Sequence, residues 1–375
     1  MGPEFSELHR TDPFEHLGLQ PLGRANSEVW KVIHLNNRNV YARKEFSLQM
    51  YRDEHLIKRK EKIKDEISIT KRSQHCHVVK YCGDHYVEST QMVGLLLQPV
   101  ADMNLVEFFS QVERTKDMAL CATMCRWSPC LFRALDYLHS IGIRHKDIKP
   151  SNIIIKGQEV YFSDFGISRD FCDEVTSKTA GPLGAITERY VAPEANNEQP
   201  RGRAADIWAL GCTLLEICTV ASGENSIRDL NEHLQQAGGG RLAPFCQSPY
   251  HVFDWIFLLL VSPGRDARLG EHIRKLLQLA FLMLDPDCDR RITAPQLVDL
   301  LDHPDSTYFH SIGQLACERC RNTPRKTVYC DSPHSIFQEA LNGGIHIPSK
   351  DGLSVETEDL WEMVKRRWLA SHIWW

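Results

Sequence analysis

The chain has 375 residues, of which 42% are hydrophobic and 25% are charged, as in folded globular proteins. Lys and Arg number 44 against 49 Asp and Glu, a net charge of -5 that excludes a chain-wide basic surface for nucleic acid. Residues 1–5 lack the basic flank and apolar core of a secretory signal, and the longest apolar run, 255–261, is too short to span a bilayer.

The cysteines indicate the redox compartment. There are 13 of them, an odd number, and most stand singly in helix-like segments. Reduced thiols in an intracellular protein, cytoplasmic or nuclear, are the simplest interpretation. The sequence does not indicate an oligomeric state.

Strand patterns come first along the chain and helix patterns follow. Four runs have the β-branched and aromatic composition of strands: 29–33, 40–44, 78–86 and 93–98. Between the second and third runs, the charged segment 52–72 has apolar residues at helical spacing. Three later segments are long apolar helices in pattern: 118–141, 204–220 and 273–284. This order predicts a two-lobed α+β fold.

The most informative stretch lies between two of these helices. Its residues are His145, Lys146, Asp147, Ile148, Lys149, Pro150, Ser151 and Asn152, and after a strand pair come Ser163, Asp164, Phe165 and Gly166. These motifs resemble the catalytic loop and the metal-binding motif of protein kinases. The resemblance implies a protein kinase domain at 16–303, with a small β-rich N-lobe at about 16–98 and a large α-helical C-lobe at about 104–303. An N-terminal extension at 1–15 and a tail at 304–375 flank it.

The chemistry of phosphoryl transfer explains these residue types. The reaction needs in-line positioning, neutralisation of phosphate charge and a group that accepts the hydroxyl proton. By the resemblance Asp147 accepts that proton, Lys149 steadies the transferred phosphoryl group, and Asn152 and Asp164 supply oxygen ligands for Mg²⁺. A polar loop without function is the alternative for one such motif, and two motifs in order argue against it.

The N-lobe supplies the nucleotide side of the predicted site. Lys44 resembles the strand lysine that contacts the ATP phosphates, and Glu66 is its expected partner, with Glu61 and Asp65 as neighbours in other helix registers. The phosphate-covering loop departs from the family because Gly23 is its only glycine. The adenine ring is expected to meet residues of the roof, hinge and floor: Val29, Ala42, Leu97, Gln98, Val100 and Ile154.

The choice of substrate follows from the same resemblance. A lysine two residues after the catalytic aspartate is typical of serine/threonine kinases, and Thr187 is placed to bridge Asp147 and Lys149. The segment 187–194, which docks a peptide in the family, implies a protein substrate and argues against a kinase of small molecules. Phosphorylation of the activation segment is a hypothesis for three hydroxyls: Thr176, Ser177 and Thr179.

The tail carries two further patterns. Cys317, Cys320, Cys330 and His334 have the ligand types of a structural zinc site, and ordinary reduced surface thiols are the alternative. Residues 354–375 predict an amphipathic helix that packs on the large lobe or binds a partner or membrane surface.

The prediction for the whole chain is an ATP- and Mg²⁺-dependent serine/threonine protein kinase. The alternative is a catalytically weak kinase-like scaffold that acts by binding partners. The glycine-poor loop favours the scaffold. The presence of the five charged and polar residues that the reaction needs argues against it: Lys44, Asp147, Lys149, Asn152 and Asp164.

Overall fold

The computed structural model describes residues 5–24, 27–165, 169–170, 188–196, 202–236, 240, 242–261, 266–302 and 307–323. The chain divides into two compact units. The first contains 1–105 and 140–173, and the second contains 106–139 and 174–375. Every described strand lies in the first unit, and the second is built from helices. This separation confirms the predicted α+β class.

The first unit is organised around a seven-stranded sheet. Its strands are β1 (Glu7–His9), β2 (Phe14–His16), β3 (Gly23–Arg24), β4 (Glu28–His34), β5 (Val40–Ser47), β6 (Lys80–Val87) and β7 (Met92–Gln98). They lie in the order β1-β6-β7-β5-β4-β2, with β3 paired to β4. All pairs are antiparallel except β1 with β6. Helix α1 (Asp53–Arg72) follows β5, as the charged segment predicts.

Alternation along β5 gives the sheet two different faces. Lys44 points toward α1, where it meets Glu66, so its neighbour Arg43 projects from the opposite face. Arg43 is only 1% exposed there, with its guanidinium over the ring of the buried Phe14. We call the face that carries Arg43 the outer face.

The first described residues form an N-terminal strap, residues 5–16. It begins at the β6 edge of the sheet as β1 and reaches the β4 edge as β2. Between them Asp12 accepts two hydrogen bonds from Arg43 Nη1, at 2.7 and 2.9 Å. Five residues of extended chain, from His9 to Phe14, span roughly 17 Å. In a flat sheet, β1 and β2 would be separated by the four strands β6, β7, β5 and β4, which is a distance of roughly 24 Å. The strap therefore joins edges that a curled sheet brings together.

Two small sheets complete the first unit. One contains β8 (Met103–Asn104), β10 (Ile153–Lys156) and β11 (Glu159–Phe162), in the order β11-β10-β8. The other pairs β9 (Ile143–Arg144) with β12 (Arg169–Asp170). The hairpin of β10 and β11 lies between the candidate catalytic residues Asn152 and Asp164 along the chain and fixes the segments that carry them.

The second unit is a helical bundle. Its helices are α2 (Leu105–Thr115), α3 (Met118–Ser140), α4 (Pro193–Asn196), α5 (Arg203–Ala221), α6 (Ile227–Gln235), α7 (Pro249–Val261), α8 (Ala267–Met283), α9 (Ala294–Asp302), α10 (Thr307–Gly313) and α11 (Glu318–Asn322). Helix α5 packs against α8, with Gly211 facing Met283. Among the described residues α5 alone has the length and composition of a membrane span, and 89% of that apolar window is buried within the protein, as in a core helix.

Helix α8 begins earlier than the apolar pattern predicts. The pattern places its start at 273, whereas the helix begins at Ala267. The Asp266 side chain accepts a hydrogen bond from the Leu269 backbone N–H at 2.7 Å and so caps the first turn. This aspartate is the signal in the sequence that marks the true start of the helix.

Candidate active site

Lys44 lies between two carboxylates. Its Nζ is 2.5 Å from Glu66 Oε1 and 2.6 Å from Asp164 Oδ1. Strand β5 supplies the lysine, the buried face of α1 supplies Glu66, and the segment after β11 supplies Asp164. Of the three acidic candidates on α1, Glu66 is the one that meets Lys44.

The surroundings of Lys44 keep it charged. Lys44 and Glu66 are each 6% exposed. Burial works against the ammonium form, but Glu66 and Asp164 outweigh it and raise the pKa of Lys44 above its ordinary value. The result is a fixed cation beside a carboxylate whose side chain remains 32% exposed.

Asp147, Lys149 and Asn152 form a second cluster. Lys149 Nζ donates to Asp147 Oδ2 at 2.7 Å. Asn152 Nδ2 donates at 2.8 Å both to that oxygen and to the Asp147 backbone carbonyl. Because the amide nitrogen is used in these bonds, the amide oxygen is the atom with which Asn152 would hold a cation. An amide oxygen and the Asp164 carboxylate fit the hard oxygen ligands that Mg²⁺ prefers.

Hydrogen bonds and ring packing fix the segment that carries Asp164 against the loop that carries Asp147 and Asn152. The Ser163 backbone N–H and hydroxyl both donate to the Asn152 carbonyl, each at 2.9 Å. The His145 ring lies 5.0 Å from the Phe165 ring, and its Nε2 is 3.0 Å from the Ser163 carbonyl oxygen. Asp164 has a positive φ of 63°, a conformation that costs a non-glycine residue energy and recurs at functional sites.

The strands on either side of the predicted phosphate-covering loop are paired. Gly23 pairs with Val29, and the Leu22 backbone N–H donates to the Val29 carbonyl at 2.6 Å. A Cβ added at Gly23 would meet nothing within 4 Å. The protein itself therefore does not require glycine at that position, and the space beside the Gly23 backbone is open to a ligand.

The predicted adenine contacts all belong to the first unit. Val29 pairs with Lys44, and Ala42 pairs with Leu97, on adjacent strands of the sheet. Ala42 is 7% and Leu97 8% exposed. The remaining three residues are half-buried, at the end of β7, just beyond it and on β10: Gln98, Val100 and Ile154.

The second unit contains a buried ion pair between Arg291 and Glu194. Arg291 Nη1 donates to Glu194 Oε1 at 2.9 Å, and Nη2 donates to Oε2 at 3.0 Å. Arg291 also donates to the Asp285 and Ala204 carbonyls, at 2.9 and 2.8 Å, and lies over the Trp208 ring. This network fixes the short helix α4 against the start of α5.

Sequence reasoning missed three features near these residues. One is the bond between Lys44 and Asp164, which joins positions 120 residues apart. The second is the bond from Lys149 to Asp147. The third is a buried cluster in which Glu216 accepts from Arg189 and from the Tyr190 hydroxyl, each at 3.0 Å. A glutamate within the otherwise apolar helix α5 is the signal that could have predicted the third.

Several predicted residues lie outside the described part of the chain. They are Thr176, Ser177, Thr179, Thr187, Cys330 and His334, together with the amphipathic segment 354–375. Of the four suggested zinc ligands, Cys317 and Cys320 are described. Cys317 caps α11, where its Sγ accepts from the Cys320 backbone N–H at 3.4 Å.

Comparison with known proteins identifies the family of the chain. A sequence profile described as a protein kinase domain matches residues 19–304. The chain is 26% identical over 256 residues to the G2-specific protein kinase fin1 of Schizosaccharomyces pombe, covering 62% of this chain and 33% of that protein. It is 27% identical over 202 residues to the serine/threonine-protein kinase Nek6 of Oryza sativa subsp. japonica, covering 53% and 35%.

A third relative is similar over a larger share of its own length. The chain is 33% identical over 234 residues to the mitogen-activated protein kinase p38b of Drosophila melanogaster, covering 56% of this chain and 62% of that protein. The chain thus spans less than two thirds of the length of each of these relatives. With the domain profile matching well over half of its residues, the chain belongs to the protein kinase family, and its relatives are serine/threonine kinases.

Proposed function

We propose that this chain is an active protein kinase that transfers the γ-phosphoryl group of ATP to serine or threonine hydroxyls of protein substrates. The observation that carries the proposal is the position of Lys44, held between Glu66 and Asp164 at 2.5 and 2.6 Å. A buried lysine held by two carboxylates keeps its charge where nucleotide phosphates need a cation.

Each residue of the site has a defined role in this proposal. Lys44 binds the phosphates of ATP, with Glu66 fixing the direction of its ammonium group. Asp147 orients the attacking hydroxyl and accepts its proton, and Lys149 stabilises the negative charge on the transferred group. Asn152 and Asp164 would hold Mg²⁺, which supplies charge neutralisation at the phosphates.

Binding of adenine is assigned to the surface around β4, β5 and β7. Val29 and Ala42 cover one side of the ring, Ile154 covers the other, and the backbones of Gln98 and Val100 bind its edge. Leu97 closes the back of the pocket. Gly23 allows the loop above the phosphates to approach them, since a residue without Cβ leaves its backbone amide accessible.

The choice of serine or threonine rests on Lys149 and on the names of the relatives. Lys149 lies two residues after Asp147, the position at which the serine/threonine kinases carry a lysine. Thr187 is proposed to bridge Asp147 and Lys149 by hydrogen bonds, as in serine/threonine kinases. Phosphorylation of the activation segment is proposed at three hydroxyls: Thr176, Ser177 and Thr179.

A catalytically weak scaffold remains the second candidate. The observation that favours it is the loss of all but one glycine from the phosphate-covering loop, which predicts weak nucleotide binding. The two candidates differ in whether phosphate is transferred, so a direct assay separates them.

The test is transfer of labelled γ-phosphate from ATP·Mg²⁺ to the chain itself and to a generic basic protein. Asp147→Asn is the variant, because it keeps the size of the side chain and removes the proton acceptor. Asp136→Asn, a change on α3 outside the proposed site, is the matched control. The proposal predicts label on serine and threonine that Asp147→Asn abolishes and Asp136→Asn retains. Equal signals from the wild-type chain and Asp147→Asn, at every ATP concentration and after treatment with activating kinases, would favour the scaffold.

An intracellular location, cytoplasmic or nuclear, is part of the proposal. None of the 11 cysteines in the described part of the chain forms a disulfide. Reduced thiols are what a reducing compartment maintains. Fluorescence microscopy of the tagged chain in its own cells tests the location, and accumulation outside the cell would contradict it.

Zinc binding by the tail stays a prediction. Cys317 and Cys320 offer two thiolates on either side of one helical turn, and Cys330 and His334 would complete the four ligands that structural zinc requires. Metal analysis of the purified full-length chain tests it. About one zinc per chain, lost in Cys320→Ser, supports the site, and zinc near zero removes it.

A further inference from the structure

The N-terminal strap contacts β6, and β6 contacts α1, the helix that carries Glu66. The first contacts of the strap are made by Ser6, whose backbone N–H donates to Asp84 Oδ2 and whose hydroxyl donates to Asp84 Oδ1, both at 2.8 Å. Next to it Phe5, 8% exposed, stacks on the Tyr86 ring at 6.0 Å. The start of the strap is thus fixed to β6 by a carboxylate and an aromatic ring.

A β-bulge in β6 connects this anchor to α1. The register of β6 against β7 shifts between Tyr81 and Gly83, and Gly83 has a φ of 155°. Because a bulge inserts one residue, Tyr81 and Asp84 project from the same face although they are three positions apart. The Tyr81 hydroxyl donates to Asp84 Oδ1 at 2.5 Å. Asp84 therefore receives hydrogen bonds from the strap and from Tyr81 together.

Tyr81 in turn contacts the last turn of α1. Lys71 Nζ lies over its ring, 5.6 Å from the centroid, in a cation–π contact. Lys71, an exposed residue, follows Glu66 by little more than one helical turn, about 7.5 Å along the axis of the same helix. A contact at this end of α1 therefore helps to hold Glu66 close to Lys44.

We propose that Asp84 is a positioning residue: it couples the N-terminal strap, through Tyr81 and Lys71, to the helix that holds Glu66 against Lys44. Displacement of residues 5–9 from β6 would then lower the affinity of the site for ATP without a change in any residue of the site. The inference rests on the proposed function for its effect on ATP, and on geometry alone for its effect on α1.

The contact chain makes a prediction that separates positioning from mere stability. Loss of a bond that orients α1 weakens the binding of ATP in the ground state, so KM for ATP rises by a larger factor than kcat falls. A hydrogen bond of ordinary strength corresponds to a change of about fivefold. A variant that only unfolded part of the molecule would lower kcat in proportion to the fraction unfolded and leave KM unchanged.

The experiment compares three variants of the full-length chain by amide hydrogen exchange and by kinetics. Asp84→Ala removes the shared acceptor, and Lys71→Met removes the cation at the far end of the contact chain while leaving β1 in place. Glu7→Gln is the control, since the Glu7 side chain is 65% exposed and bonds His9 on its own strand.

The expected result has two parts. Asp84→Ala increases exchange in both β1 and the second half of α1, and Lys71→Met increases it in α1 alone. Asp84→Ala raises KM for ATP by about fivefold, Lys71→Met raises it by about two- to fivefold, and Glu7→Gln changes neither exchange nor KM. Exchange in α1 that stays at the wild-type rate in Asp84→Ala while exchange in β1 rises would overturn the inference. Should Asp84→Ala fail to fold, Ser6→Ala in its place removes only the hydroxyl donor, and Lys71→Met still tests the contact between Tyr81 and α1.

Hydrogen exchange keeps the two proposals separable. The exchange pattern of α1 needs neither ATP nor a substrate. If the wild-type chain transfers no phosphate, the proposed function fails while the α1 result still decides the role of Asp84. If phosphate is transferred and α1 does not respond, the coupling fails while the proposed function stands.

Discussion

Arg291 donates through both terminal nitrogens to the two carboxylate oxygens of Glu194, at 2.9 and 3.0 Å, and both side chains are almost fully buried. Removing one member of such a pair leaves an uncompensated charge inside the protein. Arg291→Met should therefore lower the free energy of unfolding by about 3–5 kcal/mol. Urea denaturation of the full-length chain measures the change.

A neighbouring arginine provides the control for this prediction. Arg290 lies 3.8 Å from Asp285 and its side chain is 34% exposed, so Arg290→Met should cost well under about 1 kcal/mol. Replacing both members of the buried pair, Glu194→Met with Arg291→Met, should be less damaging than Arg291→Met alone. A double variant as unstable as the sum of the two single variants would contradict the pair as the cause.

Lys44→Met tests the cation at the centre of the candidate site. Methionine keeps most of the side-chain volume and removes the ammonium group, so Glu66 and Asp164 lose their common partner. We expect the rate of phosphate transfer to fall by about 10²- to 10³-fold, the loss typical of one preorganised electrostatic contact. Lys31→Met is the control, because Lys31 is an exposed lysine on the adjacent strand β4. Transfer at the wild-type rate in Lys44→Met would remove the proposed role.

His85 should make the first unit sensitive to acid. It is 1% exposed, and neither ring nitrogen has a hydrogen-bond partner within the described part of the chain. Burial, and then the charge of Arg43, lower its pKa from 6.5 to about 4, against the weaker opposing effect of Asp12 and Asp84; His9 acts in the same direction as Arg43. Between pH 6.5 and about pH 4, His85 is therefore protonated in the unfolded chain and neutral in the folded chain.

The sign of the pH effect follows from this difference. Stability is complete above the unfolded pKa of about 6.5 and is lost as the pH falls toward 4, by up to about 3 kcal/mol. His85→Phe, which cannot be protonated, should flatten that part of the stability profile. Urea midpoints measured from pH 7.5 to pH 4.5 check it, and equal slopes for the wild-type chain and the variant would refute it.

Gly94 is required by the same packing. A Cβ at Gly94 would lie 2.3 Å from His85 Cε1 and 3.0 Å from Arg43 Cδ, and His85 stacks on the Phe14 ring at 4.9 Å and so has little room to move. Gly94→Ala should destabilise the chain by about 1–3 kcal/mol through overpacking. Thermal unfolding measures the loss. Adding His85→Ala should recover part of the lost stability. A Gly94→Ala chain as stable as the wild-type chain would show that His85 and Arg43 can move aside, and would contradict the prediction.

Sequence reasoning predicted the local parts of the site and missed the long-range ones. The loop around Asp147 and the segment at Asp164 were recognisable because their chemistry requires residues at fixed short spacings. Glu66 followed from the resemblance to the kinase helix, and the spacing of apolar residues predicted α1 itself within one residue. The bond from Lys44 to Asp164 depends on how two distant segments fold together, and no spacing in the sequence records that.

The strap was harder still to predict. Strands β1 and β2 contain three residues each, too few for an alternating pattern to stand out from chance. Arg43 belongs to a residue type that is almost never fully buried, yet it is 1% exposed, because Asp12 and Glu45 both pair with it. A buried arginine becomes predictable only when its distant partner is known.

The two edges that the strap covers have a consequence for solubility. A chain shortened to the start of the family profile at residue 19 would lose both β1 and β2 and leave the backbone groups of β6 and β4 unpaired along those stretches. Open strand edges of this kind pair with one another between molecules and seed aggregates. The strap replaces them with two short edges that carry Glu7, His9, Glu15 and His16. Residues 5–16 thereby protect the sheet against self-association during synthesis and storage.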